Sequence, residues 1–252
     1  MKKPLLLISN DDSITSPFLP FFAQELSKVA DIVIVVPATE KSWIGRAYSR
    51  HSKISVEEVD FYGFKTYTVS GTPSDCVNIA LSHICKNPDA IVSGINIGQN
   101  IAMPLLWSSG TFAAAVEGAS WGFPAFAFSM RLEGEFYDVC RIKHSVPEDC
   151  RLLENIKDAS KTSAEFVIEK LSKHKFELGD IFNVNYPIKY TKQVQLKECV
   201  PARAKSAQIY HKNDDDDFEF KYVIKPIESE QITDFSCLEE GLACFSKINI
   251  YK

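Results

Sequence analysis

The sequence predicts an α/β fold: a mostly parallel sheet covered by helices on both faces, followed by a C-terminal β extension. Two observations carry this expectation. Over the first 130 residues, short apolar runs rich in Val and Ile alternate with longer stretches of helical periodicity. Such near-continuous apolar runs belong to strands buried on both faces. Between the runs, a Ser or Thr followed at once by Pro recurs as a helix-start signal.

The first strand is Leu5 to Ser9 in "LLLISNDDS". "SPFLPFFAQELSKVA" follows, with Ser16 as N-cap and Pro17 at the first helical position; Leu19, Phe22, Leu26 and Val29 form one apolar face. "DIVIVVP" is a second buried strand closed by Pro37. "KISVEEV" and "FKTYTVS" read as two strands around a turn at Gly63. "TPSDCVNIALSHIC" repeats the start signal with Thr72 and Pro73, "DAIVSG" is another strand, and "SGTFAAAVEGASWG" is an alanine-rich helix capped by Ser109. "PAFAFSM" returns to strand. Residues 131–160 carry mixed charge without clear period and read as a surface insertion. A helix around "SAEFVIEKLSKH" and a strand "DIFNVNYP", closed by Pro187, come next. "KQVQLKECV", "DFEFKYVI" and "LACFSKINI" read as strands of the extension, with "NDDDDF" as a solvated loop tip. The expected organisation is one domain over 1–252: a core half, 1–130, carrying the site, the insertion 131–160, and the C-terminal helix and β extension, 161–252.

Composition narrows the function. A net charge of -5 gives no electrostatic case for a nucleic-acid polymer as partner. No segment approaches the ~20 apolar residues of a membrane helix, and the basic start precedes too short an apolar run for a signal peptide. These features point to a soluble cytoplasmic protein. The seven cysteines include no C-x-x-C pair, which suits buried free thiols in a reducing compartment and argues against zinc. The five histidines show no metal spacing, and neither G-x-S-x-G nor a Walker A sequence is present.

In parallel sheets, ligands sit beyond the carboxyl ends of the strands. The residues there form a coherent set. Asn10, Asp11, Asp12 and Ser13 follow the first strand; Thr39, Glu40, Lys41 and Ser42 follow the second; Ser93, Gly94, Asn96, Gly98 and Asn100 lie in "SGINIGQN"; Ser109, Gly110 and Thr111 open the alanine-rich helix. Two adjacent carboxylates repel unless a cation lies between them. Carboxylates, a hydroxyl and an amide oxygen are hard donors that suit Mg²⁺, Mn²⁺ or Ca²⁺. Free N–H groups at a helix start attract phosphate. Together these features point to a phosphate site with one divalent cation.

The stretches "ISNDDS", "SGTPSDCV", "VSGINIGQN", "SSGTFAAAVEGA" and "FNVNYP", with "TDFSCLEEGLACFS" near the C-terminus, resemble in order the SurE family of stationary-phase survival proteins. The resemblance implies a Rossmann-like three-layer core and a metal-dependent phosphatase acting on nucleoside 5′- and 3′-monophosphates, with short polyphosphate as a further substrate. It implies metal ligands at Asp11, Asp12, Ser42 and Asn96, and phosphate-side residues at Asn100, Ser109, Gly110 and Thr111, with Asn10 and Gly98 beside them. It also implies a homodimer or homotetramer built by exchange of C-terminal elements. Asp11 is the expected nucleophile or base, Asp12 the ligand, and Asn100 and Ser109 the stabilisers of the transferred phosphoryl oxygens. Two departures stand out. Ser13 replaces a family glycine, and so either strains a turn or narrows the site; Arg46 and Ala47 stand where members often carry His and Ser. Arg46 is expected to face solvent. The rival readings are an aspartyl-phosphate phosphatase, which needs D-x-D where this chain has "NDDS", and a receiver-like Mg-binding signalling module, which needs an Asp and a Lys at strand ends that here carry "SGIN" and "FSMR".

Overall fold

The computed structural model describes residues 2–132, 134–147, 151–205, 209–222 and 224–252. The core alternates as expected: β1 (Leu5–Ser9), α1 (Leu19–Val29), β2 (Asp31–Pro37), β3 (Val56–Phe61), β4 (Phe64–Val69), α2 (Pro73–Ile79), β5 (Ala90–Ile97), α3 (Met103–Ser108), α4 (Gly110–Ser120) and β6 (Ala125–Met130). There follow α5 (Gly134–Ile142), α6 (Leu152–Lys173), β7 (Asp180–Tyr186), β8 (Lys197–Glu198), β9 (Ala204–Lys205), β10 (Tyr210–Lys212), β11 (Phe218–Phe220), β12 (Lys225–Pro226), α7 (Asp234–Glu239) and β13 (Cys244–Asn249).

Nine strands form one sheet in the order β3-β4-β2-β1-β5-β6-β7-β13-β8. The run from β4 to β7 is parallel, whereas β3 and β13 pair antiparallel to β4 and β7. The chain builds outward from β1 in one direction through β2 and β4, then in the other through β5, β6 and β7. Strand order therefore reverses between β1 and β5, and a cleft opens beyond their carboxyl ends.

Alternation along the strands splits the core into two layers. Leu6, Ile8, Ile34, Val36, Val92, Phe126 and Phe128 face the α1 and α6 side. Leu7, Val33, Val35, Ile91, Ala125 and Ala127 face the α2 and α4 side. The first layer is aromatic, with Phe126 stacked on Phe182 at 5.8 Å and Phe166 edge-on to both. The second is built of small residues: Ala114, Ala115 and Ala119 of α4 lie against Ala125 and Ala127. A Cβ on Gly118 would come 2.2 Å from Cγ1 and 2.8 Å from Cβ of Ile91. The alanines and this glycine let α4 lie close to the sheet.

Several elements differ from expectation. Helix α1 starts at Leu19 with Phe18 at the cap position and no side-chain cap bond; Pro20 sits in its first turn. Ser16 instead donates its N–H to Ser13 O at 3.3 Å, closing the turn after the aspartates, and the helix starts beyond it at Leu19. Thr72 caps α2 as expected, in a reciprocal box with Asp75. The stretch expected to be irregular holds α5 and the first turns of α6. Of the expected C-terminal strands, only β13 is long; β10 and β11 form a small hairpin with the acidic loop exposed at its tip. Buried Cys76, Cys85, Cys199, Cys237 and Cys244 are free thiols, and Cys150 lies outside the described residues. Among the described residues no helix is long and apolar enough to cross a membrane.

The helix–sheet contact at Gly118 gives a clear expectation. In an open helix, Gly→Ala stabilises by up to ~1 kcal/mol. Here Gly118→Ala drives a methyl into fully buried Ile91, so the substitution will destabilise by ~1–3 kcal/mol. A lowered midpoint in urea or thermal unfolding checks it; a raised midpoint would show that α4 can shift outward freely.

Candidate active site at the carboxyl edge of the sheet

A cavity of about 540 Å³ occupies the switch point. Asp11, Ser42, Asn96, Gly98, Asn100 and Ser109 all line it. Asn10, Asp12, Gly110 and Thr111 do not line it; they form the layer behind.

Asp11 and Asp12 are both about 3% exposed. Each is held by a different element. The Thr111 hydroxyl and backbone N–H donate to the Asp11 carboxylate. The Thr111 amide at the start of α4 thus meets the chain's own carboxylate, and Thr111 acts there rather than at the cleft surface. Gly110 makes the approach possible: a Cβ there would lie 2.7 Å from Asp11 Cβ and 2.9 Å from its Oδ2. Asp12 Oδ2 accepts from Ile97 N at 2.8 Å, while its Oδ1 is buried without a partner. Burial pushes Asp11 up to about 6 in spite of the Thr111 bonds. Burial and the neighbouring charge of Asp11 push Asp12 well above the ordinary carboxylate range. Two buried carboxylates, one with an orphaned oxygen, fit a hard dication as compensating charge.

Asn96 donates its side-chain N–H to Gly98 O at 2.9 Å, which leaves its amide oxygen as the remaining donor atom for a ligand. Gly98 has φ +123, a conformation that favours glycine at the turn out of β5. Ser42 follows β2, where its N–H donates to Glu40 at 2.8 Å. Ser109 caps α4 by accepting from Phe112 N at 3.0 Å; its own hydroxyl proton remains available to a ligand.

Asn100 is clamped from behind. Its N–H donates to Asn185 Oδ1 at 2.9 Å, and its side chain donates to Ser129 Oγ at 2.8 Å. Asn183 and Asn185 each donate to Asn100 O at 2.9 Å. The two asparagines are two apart on β7 and therefore share a face, which explains the spacing in "FNVNYP". Nothing in that stretch of sequence by itself assigns either residue a role.

One wall of the cleft has no counterpart among the sequence-predicted site residues. Tyr137, Asp138 and Arg141 of α5 line it, together with Trp43, Phe220 and Tyr222. Arg141 donates to Tyr137 Oη at 2.8 Å and is paired with Glu40. Trp43 packs edge-on against Phe220 at 4.7 Å and Tyr222 at 5.2 Å. Only helical spacing on α5 could have pointed to Arg141, and its mixed charge hides that spacing.

Arg46 does not simply face solvent. It donates to Glu117 Oε2 at 2.8 Å, and Tyr48, Asn78 and Trp121 donate to the same buried carboxylate. Burial alone would raise the Glu117 carboxyl, but the bonds from Tyr48, Asn78, Arg46 and Trp121 hold it below its usual value.

The fold and the cleft define a class: a doubly wound α/β sandwich with a cluster of hard oxygen donors in the cleft at its topological switch point. The family model described as Survival protein SurE matches residues 6–210. A 5′-nucleotidase SurE of Methanoculleus marisnigri is 35% identical over 187 residues, which are 73% of this chain and 68% of that protein. Another, from Clostridium beijerinckii, is 42% identical over 130 residues, 51% of either chain. In shape, the crystal structure of the SurE protein from Aquifex aeolicus superposes with a TM-score of 0.74 at 21% identity, covering 98% of this chain and 93% of that one. This chain belongs to the SurE family.

Glu117 provides a pH test. A carboxyl held below its unfolded value of 4.5 adds stability that is complete above that value and is lost as pH falls through the lowered one. Glu117→Gln sets an amide N–H₂ among four donors and should cost ~1–3 kcal/mol near neutral pH. Denaturant melts of both forms should converge as pH falls below the ordinary carboxyl range; a gap that widens there would contradict the assigned network.

Proposed function

We propose that this chain is a metal-dependent phosphomonoesterase that hydrolyses nucleoside 5′-monophosphates, with 3′-monophosphates and short polyphosphate as further substrates. The observation that carries the reading is that one cavity presents hard oxygen donors, a guanidinium and aromatic rings together. The relatives' designation as 5′-nucleotidases supports it.

Asp11, Asp12, Ser42 and Asn96 would hold one Mg²⁺, Mn²⁺ or Ca²⁺ per subunit. Bound there, the ion supplies neutralisation of phosphate charge and acidification of a water. The chain's own residues do the rest. Asp11, fixed by Thr111, aligns the attacking water and takes its proton. Ser109 donates its hydroxyl to a phosphoryl oxygen, and Asn100 its side chain, with Asn183 and Asn185 keeping that loop in place. Arg141 offers the cleft a cation for the phosphate. Trp43, Tyr137, Phe220 and Tyr222 offer flat apolar surface for a nucleobase. The chain acts as one SurE-like domain in the cytoplasm and assembles as a homodimer or homotetramer.

Asp12→Asn keeps an acceptor for Ile97 N but removes the charge. Metal-dependent phosphate release should fall by more than ~100-fold with the circular dichroism unchanged. A panel of 5′- and 3′-mononucleotides, polyphosphate and sugar phosphates, run with chelator and with each dication restored, measures this. Activity that survives in the Asn variant, or in chelator, would remove the metal assignment. Arg141→Ala should raise KM for mononucleotides by ~10-fold, the scale of one charged hydrogen bond, with a smaller effect on kcat. An unchanged KM would place the phosphate away from α5.

A further inference from the structure

Three cysteines far apart in sequence meet in the C-terminal part of the fold. Cys199 follows β8, Cys237 lies on α7 and Cys244 opens β13. All three are buried, at 8%, 1% and 0% exposure, and their Sγ atoms lie within 4.8 Å of one another. Backbone pairing fixes each position. Cys199 N donates to Phe245 O at 2.9 Å, Cys237 N donates to Thr233 O at 3.0 Å, and Cys244 is held in the ladder between β7 and β8. Besides their contacts with one another, the sulfurs make weak contacts to Phe245 O at 3.3 Å from Cys199 and to Asp234 O at 3.9 Å from Cys244.

We propose that Cys199, Cys237 and Cys244 form a second metal site, a three-thiolate site for a soft ion, Cu⁺ in preference to Zn²⁺. A disulfide needs sulfurs ~2.05 Å apart and leaves the third thiol over. Three sulfurs bound to one ion at about 2.3 Å lie roughly 4 Å apart, which is within the observed spacing. Thiolates select Cu⁺, Zn²⁺ or iron–sulfur clusters over hard ions. Among the described residues no His, Asp, Glu or fourth Cys completes the set, so it is short of the four ligands of a structural zinc site. A three-coordinate ion suits it better. Binding converts three thiols to thiolates and releases three protons. No electron is transferred when the ion is supplied as Cu⁺.

The site would brace a part of the molecule that reaches the cleft. Helix α7 carries Asp234, whose carboxylate accepts from Ala102 N at 2.9 Å and Ala202 N at 2.8 Å. Ala102 lies two residues beyond Asn100. The site is chemically unlike the aspartate pair, so the two should load independently with soft and hard ions.

The test is anaerobic titration of the reduced full chain with Cu⁺ against a chromophoric chelator, with Zn²⁺ in a parallel arm. One Cu⁺ per chain is expected, together with protection of three thiols from alkylation, mapped by mass spectrometry to these positions. Cys199→Ser and Cys237→Ser should each weaken binding at least ~10-fold, whereas Cys76→Ser should leave it unchanged. Should a serine variant fail to fold, X-ray absorption on the loaded wild type decides: a shell of sulfur alone supports the site and a nitrogen or oxygen shell overturns it. Tight Zn²⁺ binding with weak Cu⁺ binding would overturn the ion preference. No binding by reduced protein, or binding indifferent to the serine changes, would overturn the site. Loss of Asp12-dependent phosphatase activity without any effect on Cu⁺ loading would keep this result separate from the proposed function.

Discussion

Two adjacent carboxylates buried at a topological switch point set the terms for the rest of this structure. Desolvation acts against the charged form of both, and the charge of Asp11 acts further against that of Asp12. Opposing this are donors that had to be brought very close. The start of α4 reaches Asp11 because Gly110 has no side chain to hold it away. The rest of α4 can lie at that depth because Gly118 and the alanines bring it down onto the sheet. The composition of "SGTFAAAVEGAS" is therefore one requirement expressed along a whole helix: close approach at one end for an anion, close packing along its length to allow it.

The other side of the cleft is stabilised from the far half of the sequence. β7 lies beyond β6, yet Asn183 and Asn185 hold the Asn100 backbone. Asp234 of α7 holds Ala102 in the same loop. A loop that carries site residues is thus pinned at successive positions by buried polar groups, each of which would be costly to leave unpaired. This dependence makes the C-terminal segment part of the site's rigidity. It also gives a metal in the cysteine cluster a route by which to influence the cleft.

Legibility in the sequence followed physical simplicity. β1, β2, β5, β6 and β7 were readable because strands buried on both faces must be apolar throughout. That Asp11, Ser42, Asn96, Gly98, Asn100 and Ser109 gather at one cleft was readable because polar groups directly after such strands have few other places to go. Three kinds of feature escaped. Helix α5 is short and mixed in charge, so Arg141 looked like surface. Thr111 looked like a phosphate ligand because a helix start has the same sequence signature whether its amides meet an external anion or an internal one. The cysteine cluster depends on the pairing of β13 with β8 and on the position of α7, long-range contacts with no local signature. The C-terminal strands were over-read because alternating residues on an exposed hairpin resemble those of a half-buried strand.

Ser13 shows how far a local substitution can be followed. Its φ of +70 is the left-handed conformation that glycine adopts freely and that costs another L-residue ~1–2 kcal/mol. The hydroxyl offsets part of that cost by bonding Thr15 Oγ1 at 2.9 Å and accepting from Thr15 N at 3.3 Å. Those bonds turn the side chain along the loop, and Ser13 is absent from the cleft lining. Strain, rather than narrowing, is the consequence of serine at this position. Among the side chains that do face the cavity, Trp43 has a left-handed backbone at φ +59, and its ring sits against Phe220 and Tyr222. An unfavourable conformation at an exposed tryptophan is maintained only where the surrounding contacts hold it. Here they hold an aromatic face over the same cleft as Asp11, so the aromatic wall of that cleft is fixed by contacts separate from those that hold the carboxylates.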